Sequence, residues 1–169
     1  MIALVPYDPR WPDAAAQEID RWHAAIGPAL VACHHIGSTA VPGLLAKPII
    51  DLLPLFSDAA AADAARAEFE AMGYEWMGAF GLPRRRYARR DDPETGQRRF
   101  HAHGYASGDS EALRHLAFRD LLRAEPATRD AYAAIKTDCA RKSTDREAYG
   151  ACKSGWICKT EARALREMT

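Results

Sequence analysis

Four residues of this 169-residue chain have the types and spacing for phosphate or metal chemistry: Ser38, Asp51, His101 and His103. Ser38 follows Gly37 at the end of an apolar run, within HHIGSTAVPGLLAKPIIDLLPLF at residues 34–56. A glycine lets backbone come close to an anion, and the amides of Gly37, Ser38 and Thr39, with the serine hydroxyl, suit phosphate oxygens. Twelve residues separate Ser38 from Asp51, which stands alone in a second apolar run. Ile49, Ile50, Leu52 and Leu53 make that run apolar on both faces, the pattern of a central strand. An ionised carboxylate is costly there without partners. Asp51 must therefore meet a cation, a metal or hydrogen-bond donors, or line a cleft. Lys47 is the nearest cationic candidate in sequence. The plain alternative is a strand turn followed by a structural aspartate.

His101 and His103 lie two residues apart in RRFHAHGY, hence on one face of a strand. With Asp51 they offer one carboxylate and two imidazoles. That set is a poor cage for Mg2+, which prefers oxygen, and a better one for Zn2+, Mn2+ or Ni2+. Alternatively the histidines donate to a phosphate or move a proton, with Asp51 and His103 as the catalytic candidates, or they are structural. Two lysines sit in apolar stripes: Lys136 one helical turn from Tyr132, and Lys153 between Tyr149 and Trp156. Each either snorkels to water or reaches into a cleft, where Tyr149 would share the wall. Arg119 belongs to the same wall or forms an internal salt bridge with Asp120. Seven arginines fall within the sixteen residues 84–99. They suit a phosphorylated or nucleic-acid ligand, or a solvated hairpin with cross-strand ion pairs, so nucleic acid is the lesser expectation.

These side chains need elements to hold them. Residues 12–26 carry a helical stripe of Ile19, Trp22 and Ile26 with a proline in the first turn, and Gly27-Pro28 ends it. Residues 29–36 and 48–56 read as strands. A helix is expected over 58–72, capped by Ser57 or Asp58 and closed by Gly73. A short strand follows at 74–77. Residues 84–90 and 97–105 bracket the turn-rich DDPETG as a hairpin. From Asp109 onward the chain reads as helices, one to 124, one opened by Pro126, and a last one after Ser143. Thr144 and Glu147 have capping-box spacing. The order predicts an α/β (α+β) domain covering 1–169, a small mixed sheet flanked by helices with a helical C-terminal part.

Lysine plus arginine number 23, as do aspartate plus glutamate, so net charge drives the chain toward neither nucleic acid nor anionic membrane. No segment reads as a signal peptide or membrane span. Cys33, Cys139, Cys152 and Cys158 form no C-x-x-C pair. They are expected as four reduced thiols of a cytoplasmic protein.

The Gly-Ser turn, with an acid on the next strand, resembles the nucleotidyltransferase signature of the polymerase-beta-like superfamily. HIGSTAVPGLLAKPIID more specifically resembles the signature of the GrpB family, and PYDPRWP, FRDLLRAEP, AYAAIK and YGACKSGWI extend the likeness along the chain. The resemblance implies a nucleotidyltransferase fold, a divalent metal (Mg2+ or a transition metal), and a nucleotide or other phosphorylated small molecule held by Gly37, Ser38, Thr39, Lys47, Arg119, Lys136, Tyr149 and Lys153. Some relatives are fused to dephospho-CoA kinases, where the domain is thought to assist folding. The chain departs from the superfamily at Leu53, where a second carboxylate is usual, and at the third-acid strand, which carries histidines. Either nucleotidyl transfer persists, or a ligand-binding or folding-assistance module remains.

Overall fold

The computed structural model describes residues 2–168. Helix α1 (Trp11–Ile26) leads into β1 (Leu30–Ile36), a short 3-10 turn at Ser38–Ala40, and β2 (Ile50–Phe56). Helices α2 (Ala59–Ala64) and α3 (Arg66–Ala71) then precede β3 (Glu75–Gly78), β4 (Arg86–Asp91) and β5 (Arg98–Ala106). Helices α4 (Ser110–Ala124), α5 (Pro126–Lys142) and α6 (Arg146–Met168) complete the chain. The expected helix over 58–72 is thus two short helices joined at Ala65, which takes up αR backbone angles between them. Asp58 is its cap, accepting from the Ala61 amide at 2.8 Å. The expected capping box is replaced: Asp145, between Thr144 and Arg146, accepts from the Ala148 amide.

The strands form one mixed sheet in the order β1-β2-β5-β4-β3. Only the central β2–β5 pairing is parallel; the others are antiparallel. This explains why β2 is apolar on both sides: a parallel pair is bridged by a crossover and covered by helices. Ile50, Leu52 and Phe56 face a core built with Trp11, Trp22 and Phe69 of α1 and α3. Leu53 and Leu55 face the opposite way and pack with Ile36, Tyr105 and Ala112 under α4. Leu52 and Leu53 are fully buried, each contributing about 1.5–3 kcal/mol of transfer free energy. The second face is the one that carries Asp51, His101 and His103.

One ionic cluster lies inside the first core. Glu18 of α1 is buried; it accepts from the Tyr74 hydroxyl at 2.7 Å, Arg90 Nη2 at 2.9 Å and Arg21 Nη1 at 2.7 Å. It joins α1 to the far edge of the sheet. Replacing Glu18 with alanine should lower stability in urea denaturation by about 3–5 kcal/mol, because it strands the Arg90 charge and the Tyr74 hydroxyl. A loss below ~1 kcal/mol would show that water replaces the carboxylate.

Candidate functional site

The site is built where β1, β2 and β5 lie side by side. Backbone register places Ile36 opposite Asp51 and Asp51 opposite His101. Gly37 leaves β1 with φ +71°, a conformation glycine adopts without strain. A side chain there would also collide: a Cβ on Gly37 would lie 2.5 Å from Asp51 Oδ2. The group this glycine admits is therefore the Asp51 carboxylate, in addition to any bound anion.

Asp51 Oδ1 accepts from His101 Nδ1 at 3.0 Å and from His103 Nε2 at 3.3 Å. Burial alone would raise its pKa, but the two imidazole hydrogen bonds outweigh burial and hold it well below the usual carboxylate range. These histidines, and not Lys47, are its direct partners.

A cavity of about 230 Å³ opens above Asp51. Gly37, Ser38, Thr39, Lys47, His101, Tyr132, Lys136, Tyr149 and Lys153 all line it. Lys136 is fully buried and its ammonium donates to the Leu45 carbonyl. Burial, reinforced by the Lys153 charge, pushes its pKa down to about 7. Lys153 holds its ammonium 4.0 Å from the centre of the Tyr149 ring. Burial and the Lys47 charge bring it down to about 8. Lys47 lies 5.3 Å from the same ring and is also lowered by burial. Among the described residues, none of the three lysines forms an ion pair within 4.0 Å. The Tyr149 hydroxyl is buried without a hydrogen-bond partner. The cavity thus sets three lysines against one carboxylate, a surplus of positive charge.

Two expected site residues do not line this cavity. Arg119 does not line the cavity: its guanidinium donates to Asp120 at 2.7 and 3.1 Å and to the His35 carbonyl at 3.1 Å. Its role is to tie α4 to the end of β1. His103 is at Asp51 but behind the cavity wall; its Nδ1 is buried without a partner, and its ring packs near Tyr87 and His115.

Other contributors were not singled out from sequence. Tyr132, which lines the cavity, shows in the sequence only as part of an apolar stripe. His35 donates to or accepts from Thr39 Oγ1 at 2.9 Å, with burial lowering its pKa to about 4. His115, lowered by burial to about 3, backs His103. The HH pair before Gly-Ser was the available signal for His35; nothing local marks His115.

Further cations brace the turn. Arg123 Nε donates to the Ala40 carbonyl at 2.8 Å and Arg129 Nη1 to the Pro42 carbonyl at 3.5 Å. With Arg119 on His35 and Lys136 on Leu45, four side chains from α4 and α5 hold carbonyls spaced along residues 35–45.

Asp51, His101 and His103 have donor atoms within 4.8 Å of one another, so the three fit a divalent metal. One oxygen and two imidazole nitrogens suit a transition metal better than Mg2+. Leu53 is sealed in the apolar cluster and supplies no ligand.

The cysteines depart from expectation. Cys139 of α5 and Cys152 of α6 form a disulfide, leaving Cys33 and Cys158 free. Helix packing brings together two cysteines 13 residues apart, which no C-x-x-C pattern announces. The pairing removes reduced thiols as an argument for a reducing compartment.

The arginine-rich hairpin is held by ion pairs. Arg86 bonds Asp63, Arg89 bonds Glu75, Arg98 bonds Asp91, Arg84 bonds Asp109 and Arg90 bonds Glu18.

This fold is nucleotidyltransferase-like. The chain resembles the Cid1 poly(U) polymerase solved with MgATP at a TM-score of 0.61 and 13% identity, covering 87% of this chain and 50% of that one. The chain belongs to the GrpB protein family, which it matches over residues 1–163. It superposes on the GrpB protein from Enterococcus faecalis with a TM-score of 0.89 and 38% identity, over 98% of this chain and 99% of that one. It is 34% identical to the UPF0157 protein YqkA of Bacillus subtilis over 98% of its own length and 48% of that protein. It is also 31% identical to a dephospho-CoA kinase of Mycolicibacterium paratuberculosis, covering 96% of this chain and 46% of the kinase. The chain therefore spans about half the length of these last two relatives. Among the described residues, no helix is long and apolar enough to cross a membrane.

The lowered lysines have a pH consequence. Unfolded, Lys136 and Lys153 bind protons up to the ordinary value of 10.5; folded, they release them near 7 and 8. The unfolded chain binds more protons in that window, so stability should rise with pH from about 7 toward 10, by up to about 1.4 kcal/mol per pH unit for each lysine. In urea denaturation across that range, Lys136→Met should flatten the rise. An identical pH profile in the variant would place the Lys136 ammonium in water.

Proposed function

We propose that the cavity binds a nucleotide or other phosphorylated small molecule, with its phosphates against Lys47, Lys136 and Lys153 and the Gly37–Thr39 turn. The carrying observation is three lysines around one cavity, none of them ion-paired among the described residues. Like charges converge at a cost when nothing anionic joins them, and a phosphate removes that cost through charge-assisted hydrogen bonds. At about 230 Å³ the cavity accepts a phosphate chain more readily than a whole nucleotide, so a base and sugar would extend outside it. The dephospho-CoA kinase and Cid1 likenesses agree with a nucleotide-type ligand. The reading takes residues 1–169 as one domain working in the cytoplasm, with nucleic acid the lesser expectation, since Arg84, Arg86, Arg89, Arg90 and Arg98 of the hairpin are ion-paired.

A second reading, nucleotidyl transfer to a hydroxyl acceptor, draws on the ionised Asp51 beside the cavity. When bound, a divalent metal would supply neutralisation of phosphate charge, and Asp51, His101 and His103 would hold it. In transfer, Lys136 and Lys153 would orient the phosphates. The buried Leu53 and the acid-free β5 weigh against transfer and for a binding module, so binding is the reading adopted.

Calorimetric titration of ATP, inorganic tripolyphosphate and adenosine, with and without Mn2+, tests it. ATP and tripolyphosphate should bind and adenosine should not. Lys153→Met should weaken ATP about tenfold, the scale of one charge-assisted hydrogen bond, while the ligand-free protein keeps or gains stability. Equal binding of adenosine and ATP, or an unaffected Lys153→Met variant, would defeat the proposal.

A further inference from the structure

Two of the three cavity lysines sit on two different helices, and a covalent bond joins those helices beside them. Cys139 lies one helical turn after Lys136 on α5, and Cys152 immediately precedes Lys153 on α6. The two lysines repel: the Lys153 charge is the largest influence on Lys136 after burial. What opposes that repulsion, besides the disulfide, is the parallel stack of Tyr132 on Trp156 at 5.0 Å and the apolar cluster of Val41, Leu44 and Leu122 around it. The stack grips α6 one turn beyond Lys153; the disulfide grips it at the lysine itself.

We propose that the Cys139–Cys152 disulfide is a redox-controlled latch that sets the affinity of the lysine cavity, closed when oxidised and slack when reduced. This rests on the cavity being a phosphate site. The sulfur open to attack is that of Cys152, on an exposed residue, whereas Cys139 is buried. A thiolate of a cellular or added dithiol attacks Cys152 Sγ. The Cys139–Cys152 bond breaks, and Cys139 leaves as a thiolate that takes up a proton. The second thiol of the reductant then displaces Cys152, giving two cysteine thiols and one oxidised dithiol, a two-electron exchange. Without the bond, α6 near residues 146–153 is free to relax away from α5 under the lysine repulsion. The Tyr132–Trp156 stack keeps the helices attached, so the fold survives and the phosphate clamp loosens. The latch would couple ligand occupancy to the thiol–disulfide balance around the protein.

The test uses full-length protein in a Cys158→Ser background, which removes the exposed free thiol as an alternative partner. ATP affinity is measured for the air-oxidised protein, for the same protein reduced with dithiothreitol, and for Cys152→Ser. Hydrogen exchange is followed across residues 132–158 in each. Reduction and Cys152→Ser should each weaken ATP at least fivefold and speed exchange in the first turns of α6, and dithiothreitol should have no further effect on Cys152→Ser. Equal affinity in oxidised and reduced protein would overturn the latch. So would a mass of the air-oxidised protein showing no disulfide. If no form binds ATP, the phosphate reading fails and the latch on affinity fails with it; if ATP binds equally before and after reduction, the latch alone fails.

Discussion

The arrangement depends on a carboxylate that the fold buries and cannot leave alone. Asp51 stands in the strand most enclosed by other structure, where an unpartnered charge is among the costliest things a protein can hold. Its solution dictates its surroundings. A parallel neighbour must place an imidazole beside it, which fixes the register of β5 against β2. The residue after β1 must have no side chain, which fixes Gly37. The turn after that glycine runs beside the carboxylate, its carbonyls held from α4 and α5. The cavity exists because these demands leave a gap between the acid and the helices, and lysines reach into it from both sides.

The second half of the chain answers the charge from a distance. Helices α4 to α6 cover the face of the sheet that carries Asp51, and apart from Lys47 they carry the cations. Some are fully engaged: Arg119, Arg123 and Arg129 serve backbone carbonyls or neighbouring acids. Lys136 also has a carbonyl, but a carbonyl does not cancel its charge. The difference between an arginine that braces and a lysine that waits is therefore visible in partners, not in residue type. Arg84, Arg86, Arg89, Arg90 and Arg98 of the hairpin belong to the bracing kind, each paired with an acid.

Alternation and helical spacing made much of this legible. Period two in β5 put His101 and His103 on one face, and an apolar run with one acid marked β2 as central, so the Asp51–His101–His103 group was readable before any fold was known. Lys136 and Lys153 were readable as misfits within aromatic stripes. Partner choice was not. Lys47 is nearer to Asp51 in sequence than either histidine, yet strand pairing outranks proximity along the chain. Arg119 looked like part of the cavity wall because spacing shows the face of a helix and not how far its side chain must reach. Cys139 and Cys152 lie on different helices, and only the packing angle of those helices decides whether their sulfurs meet. The break at Ala65 leaves no trace in a stretch dominated by alanine, the strongest helix former.

The four side chains that grip carbonyls between residues 35 and 45 have a meaning for how this protein tolerates change in length. Each grip is keyed to a particular peptide unit, and the units follow one another at intervals set by the chain's own step. One added or deleted residue anywhere between Gly37 and Leu45 would put every later carbonyl out of phase with the helices that hold it. The stretch therefore has no slack: it accepts exchanges of side chain, but not of spacing. Loops such as the DDPETG turn, whose ties are all to close neighbours, are where this fold can grow or shorten without disturbing what lies at its centre.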